Sequence, residues 1–159
     1  MNLHREMNAV ASPTRTLLVA EDQPADVLLL RRAFAKSQAR MTLRFVVDGQ
    51  DAIDYLSGDH QYADRNLNPL PDLMLLDIKM PRLDGFEVLL WLRHQPRLRR
   101  LPVSILSSCA LVNEVNRAYD LGVNCFLVKP QEPDGISDLV RRLEEFWLQI
   151  NQGPDWLVE

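Results

Sequence analysis

Residues Leu73-Met74-Leu75-Leu76-Asp77-Ile78-Lys79-Met80-Pro81-Arg82-Leu83-Asp84-Gly85 carry the reading of this chain: an apolar run ends in a carboxylate, and a loop punctuated by Pro81 and Gly85 follows. α/β proteins present a reacting group in this way, at the carboxyl end of a strand. An earlier apolar run, Leu17-Leu18-Val19-Ala20, ends in Glu21 and Asp22, and later runs end at Ser107 and Lys129. Alone, a strand-end Asp reads as a helix cap or loop acid, Lys129-Pro130 as a turn after a strand, and Ser107 as a loop residue. Four strand ends agreeing place them on one edge of one sheet.

Outward from that stretch, short apolar runs alternate with segments of helical periodicity, which predicts βαβ units on a parallel sheet. The expected strands are Thr16 to Ala20, Met41 to Val47, Leu73 to Asp77, Val103 to Ser107 and Cys125 to Val128. The second alternates through Leu43, Phe45 and Val47, a pattern suited to a strand near an edge. Helices are expected from Pro24 to Ser37, from the Asp48-Gly49 turn to about Leu56, from Gly85 to His94, from Val112 to Leu121 and from Ser137 to Ile150. The segment Ser57 to Pro71 is polar and longer than most αβ connections, and is expected to be mobile or to face a partner. Right-handed crossovers on five strands favour the flavodoxin-like order 2-1-3-4-5 with helices on both faces.

The 159 residues fit one domain. The expected division is a flexible N-terminal extension over 1–13, a domain over 14–150 and a tail over 151–159, with no room for a separate output domain. A net charge of −4 argues against nucleic acid as a partner, because phosphate binding favours a basic face. No apolar run is long enough to cross a bilayer and no signal peptide is evident, so a cytoplasmic location is the expectation. Cys109 and Cys125 have no metal-ligand spacing, the three histidines are scattered, and Arg97-Leu98-Arg99-Arg100 reads as a solvated loop.

Crowded carboxylates repel: a like-charged pair at 4 Å costs on the order of 4 kcal/mol at an effective dielectric of 20. An all-oxygen set without His or Cys suits a hard divalent cation, and Mg²⁺ takes one or two carboxylates while keeping waters and phosphate oxygens. With Lys129 as a second cation and Ser107 as a hydroxyl donor, the edge describes a site for a phosphoryl group on an aspartate.

Glu21-Asp22, the segment from Asp77 to Gly85, Ser107 and Lys129-Pro130 stand in an order that resembles the receiver domain of two-component response regulators, over roughly residues 14 to 150. The resemblance implies Asp77 as phosphoacceptor, Asp22 as a direct Mg²⁺ ligand with Glu21 acting through water, and the carbonyl of Lys79 as a third ligand. It implies Lys129 on the phosphoryl oxygens, Ser107 as the switch hydroxyl and Phe126 as the aromatic that turns inward behind it. The switch hydroxyl is more often Thr, and the Lys79 position is more often small or amide. Hydrolysis is expected to be slow, because Lys79 and Cys109 flank the path of the attacking water. Three further segments, the loop before Pro71, Leu121 to Phe126 and Glu144 to Leu148, look like the stand-alone regulators paired with phytochrome kinases. That likeness implies a light-sensing histidine kinase, a bacteriophytochrome, as phosphodonor. It also implies homodimers through the fourth helix, fifth strand and fifth helix. Phe146 and Trp147 are adjacent, so one is expected to face the core and the other to lie nearer the surface as an aromatic anchor, and Trp156 is expected to dock on a partner or a sister subunit.

An aspartyl-phosphate hydrolase of the haloacid-dehalogenase type is the enzymatic alternative. It needs a second acid two residues after the nucleophile, where Lys79 stands. A receiver-shaped module that is never phosphorylated is a third reading. The six dispersed glycines make no nucleotide-binding fingerprint. The expectation is a phosphoacceptor that signals by protein–protein interaction and is not itself an enzyme.

Overall fold

Alternate residues of a strand face opposite sides of its sheet. In the computed structural model, which describes residues 14–38 and 41–155, this period-2 rule divides the apolar runs between two cores. Strands β1 (Arg15–Ala20), β2 (Met41–Val46), β3 (Leu73–Leu76), β4 (Val103–Ser107) and β5 (Cys125–Val128) form one parallel sheet in the order β2-β1-β3-β4-β5. Leu17, Val19, Leu73, Leu75 and Leu106 pack with Leu30, Ala33 and Phe34 of α1 (Pro24–Lys36) and Ile136, Val140 and Leu143 of α5 (Pro133–Glu144). Leu18, Ala20, Met74, Leu76 and Ile105 pack on the other side with α2 (Gly49–Ser57), α3 (Gly85–His94) and α4 (Val112–Asp120). Each fully buried Leu contributes roughly 1.5–3 kcal/mol, so the two-sided burial of β1 and β3 fixes the centre of the sheet. The expected class, strand order and two-sided helical layers are those observed.

Register carries the strand ends to one edge. Ala20 pairs with Val46 and Leu76, Leu76 with Ile105, and Ser107 with Val128. The residues that follow continue the ladder: Asp77 N–H donates to Ala20 O at 3.0 Å and Lys129 N–H to Ser107 O at 2.7 Å.

Two elements depart from expectation. The long connection after α2 is tied down rather than loose. It contains a 3₁₀ turn at His60–Tyr62, and the Arg65 guanidinium donates to the carbonyls of Tyr55, Leu56 and Asn68. Five guanidinium donors can satisfy several of the carbonyls a helix end leaves open, which composition alone does not reveal. Tyr55 and Tyr62 hydroxyls close the same loop onto Pro69 O and Asp51. The last helix starts at Pro133, not Ser137, because a proline is tolerated in a first helical turn, and after Glu144 it continues as a π-helical segment, Glu145–Ile150. That segment turns Trp147 onto the α1–α5 core and leaves Phe146 exposed, their rings meeting edge-on at 5.3 Å. The N-terminal extension over 1–13 and Trp156 lie outside the described residues.

Candidate functional site

Glu21 and Asp22 leave β1, Asp77 leaves β3, and one oxygen from each carboxylate lies within 4.8 Å of the others. Glu21 and Asp77 are buried and Asp22 is half-buried. The backbone needs glycine to hold this packing: a Cβ at Gly85 would run into the Asp77 carbonyl oxygen, and Gly85 N–H donates to Ile78 O at 2.8 Å. The loop ends in a reciprocal cap, with Asp84 accepting from Glu87 N–H and the Glu87 carboxylate accepting from Asp84 N–H. A second brace comes from Arg82, whose guanidinium donates twice to buried Asp48 at 2.7 and 2.8 Å, while Asp48 also caps α2 through Asp51 N–H. Arg82 holds φ at +64°, a left-handed backbone that a non-glycine residue adopts at a cost of roughly 1–2 kcal/mol.

Lys129 reaches in from the end of β5. Its ammonium donates to Glu21 Oε2 at 2.5 Å and to Asp26 Oδ2 at 3.0 Å, and lies 3.7 Å from Asp77 Oδ2. Burial alone would lower the Lys129 ammonium, but the bonds to Glu21 and Asp26 outweigh it and hold it above its ordinary value. Burial pushes Glu21 up to about 7, against the pull of Lys129, and pushes the Asp77 carboxyl up as well, with the Lys129 charge opposing. One lysine among four carboxylates leaves the pocket short of positive charge. Asp22 Oδ1 is buried without a hydrogen-bond partner. An unsatisfied carboxylate oxygen beside two more oxygens fits a hard divalent cation, which would supply the missing partner.

Ser107 is buried at the end of β4, where its hydroxyl accepts from Cys109 N–H at 3.3 Å. Phe126, on β5, packs half-buried against the α2–α3–α4 core. Lys79 is exposed, with its backbone N–H bonded toward Asp77. The fold therefore gathers Glu21, Asp22, Asp77, Lys79, Ser107 and Lys129 on one edge, with Phe126 further back along β5. Sequence reasoning missed Asp26 and the Asp48–Arg82 brace. Asp26 carried a faint signal as an acid in a helix's first turn, where such residues are common for reasons of the helix dipole.

The model of the response regulator receiver domain matches residues 17–141. The chain belongs to this family. Response regulator Rcp1 of Synechocystis sp. is 32% identical over 143 residues, covering 90% of this chain and 95% of that protein, and the structure of its Mn²⁺-bound form superposes with a TM-score of 0.79. The phosphorylated cyanobacterial phytochrome response regulator RcpA is 34% identical, with a TM-score of 0.83 over 90% of this chain and all of that one. RPA3017, a response regulator in red light signalling of R. palustris, is 39% identical, with a TM-score of 0.83 over 88% of this chain and 98% of that one. The chain is thus a receiver homologous to phytochrome response regulators, a family that works with histidine kinases and signals rather than catalyses. Its acid triad suits a divalent ion. Among the described residues no helix is long and apolar enough to cross a membrane.

Proposed function

We propose that the receiver unit over 14–150 accepts a phosphoryl group on Asp77 from a phosphohistidine of a phytochrome-type sensor kinase, with Mg²⁺ held by Asp22, Asp77, the Lys79 carbonyl and, through water, Glu21. The observation that carries this reading is a buried Asp77 set between two acids and Lys129, beside an Asp22 oxygen with no protein partner. An Asp77 oxygen attacks phosphorus. As the P–O bond forms the P–N bond breaks, and its electron pair returns to the imidazole. The charge of a bound Mg²⁺ offsets both the carboxylate repulsion and the incoming phosphoryl charge. Lys129 then pairs with a phosphoryl oxygen, Ser107 donates its hydroxyl to another, and Phe126 fills the space that Ser107 vacates.

The output is protein–protein interaction in the cytoplasm, without direct nucleic acid contact. Leu111, Val112, Tyr119 and Val128 are exposed on the α4–β5 side and supply an apolar face for a homodimer. The test of the donor is phosphotransfer from radiolabelled sensor kinases of the same organism. Label should pass fastest from a phytochrome kinase, and equal or faster transfer from other sensor classes would reject that pairing.

A further inference from the structure

Lys129 stands at the end of β5, two strands from Asp77 at the end of β3, and its ammonium is hydrogen-bonded to groups other than Asp77. Its hydrogen bonds run to Glu21 at 2.5 Å and Asp26 at 3.0 Å, both on the β1–α1 side, and Asp77 at 3.7 Å is beyond hydrogen-bond reach. Glu21 also accepts from Gln23 N–H and, on the reading of Asp77 proposed above, answers to a metal's water. Asp26 has no such second duty. It stands in the first turn of α1, behind Pro24, where the helix dipole favours a negative charge, and it is about one-third exposed while Lys129 is nearly covered.

We infer that Asp26 is a positioning residue that holds Lys129 on the β1–α1 side at rest, so that Lys129 must give up Asp26 to bond a phosphoryl oxygen on Asp77. The inference rests on that reading of Asp77. A charge-assisted bond to Asp26 is exchanged for one to the phosphoryl group, and each is roughly twice as strong as a neutral bond, so the exchange is nearly balanced and its bias adjustable. Asp26 therefore weakens the response to phosphorylation by the worth of one partly exposed ion pair, and no residue that touches the phosphoryl group needs to change for that weight to change.

The test measures binding of beryllofluoride, a phosphoryl analogue, to the full chain at saturating Mg²⁺, in a double-mutant cycle. Asp26→Asn keeps the shape and removes the charge, and should tighten binding about fivefold, the scale of a partly exposed ion pair. In Lys129→Met and Lys129→Gln backgrounds the same change should give no gain, because the latched group is gone. Equal gains with and without Lys129 would show a through-space charge effect and overturn the latch, as would no gain in the wild-type background. Binding that survives in Asp77→Asn would overturn the phosphoacceptor reading itself, and this inference with it.

Discussion

Helix α3 buries Gly85, Phe86, Val88, Leu89 and Leu92 and begins in a reciprocal Asp84–Glu87 cap, whereas α4 buries Ala118 alone and begins at Leu111, whose side chain caps nothing. The strands repeat the contrast: β3 is buried throughout, and β5 is half-buried with Val128 exposed. Helix α4 is held chiefly at its far end. Arg117 lies over the Phe86 ring at 4.3 Å, and Arg93 donates to Gly122 O and the Asn124 side chain beyond the helix. Near its start a Glu114 carboxylate oxygen is buried without a partner, which costs the native state and marks the end that is easiest to displace. The half that carries Asp77 is over-determined, and the half that carries Ser107's neighbours and α4 is under-determined. Displacing α4 then disturbs less buried structure than displacing α3.

The largest expected difference between α3 and α4 is in stability. Leu89→Ala should lower unfolding free energy by about 3 kcal/mol, within the range for fully buried leucines, while Val112→Ala should change it by less than about 0.5 kcal/mol. Denaturant titration of both variants checks this, and comparable losses would erase the contrast.

The next largest effect concerns pH in chelator. Glu21 is raised from 4.5 to about 7 and Asp77 is raised as well, so the folded state holds protons that the unfolded chain has already released. The Glu21 contribution is complete below pH about 4.5 and is lost as pH rises through about 7, and the Asp77 contribution falls in the same direction. Metal-free protein should therefore melt lower at pH 8 than at pH 5.5 on this account. Mg²⁺ should reverse the loss, and Asp77→Asn should reduce it. A metal-free melting temperature that rises with pH across that window, with other groups unchanged, would contradict the assignment.

Asp48→Ala removes an α2 cap and the anchor for Arg82, and should cost about 1 kcal/mol for the cap alone. Because the brace holds the Asp77 loop, its Mg²⁺ affinity should also weaken, and unchanged affinity in a titration would confine the brace to α2.

Smaller still is the effect on phosphoryl lifetime. Lys79→Asn should speed decay of the labelled protein by about twofold to threefold if the lysine stem shields the phosphoryl group. Identical decay curves would remove Lys79 from the account.

The strand order, the two cores and the gathering of Glu21, Asp22, Asp77, Ser107 and Lys129 were legible because they depend on period-2 burial and on strand ends, both local signals. What stayed hidden depended on through-space reach. Asp26 and Lys129 are 103 residues apart, and Asp48 and Arg82 are 34 apart, joined by long side chains whose partners no spacing announces. Helix α5 starts at Pro133 rather than the expected Ser137, because proline suits a first helical turn. The π-helical segment had no sequence signal, and within it Trp147 packs on the core while Phe146 is exposed.

The most direct test of the central claim is uptake of label from radiolabelled acetyl phosphate by the full chain, with Mg²⁺ or with chelator, in wild type and Asp77→Asn. Wild type should be labelled only with Mg²⁺, through a hydroxylamine-labile acyl phosphate, and Asp77→Asn should stay unlabelled. Label entering Asp77→Asn at the wild-type rate, or entering wild type equally well in chelator, would contradict the account.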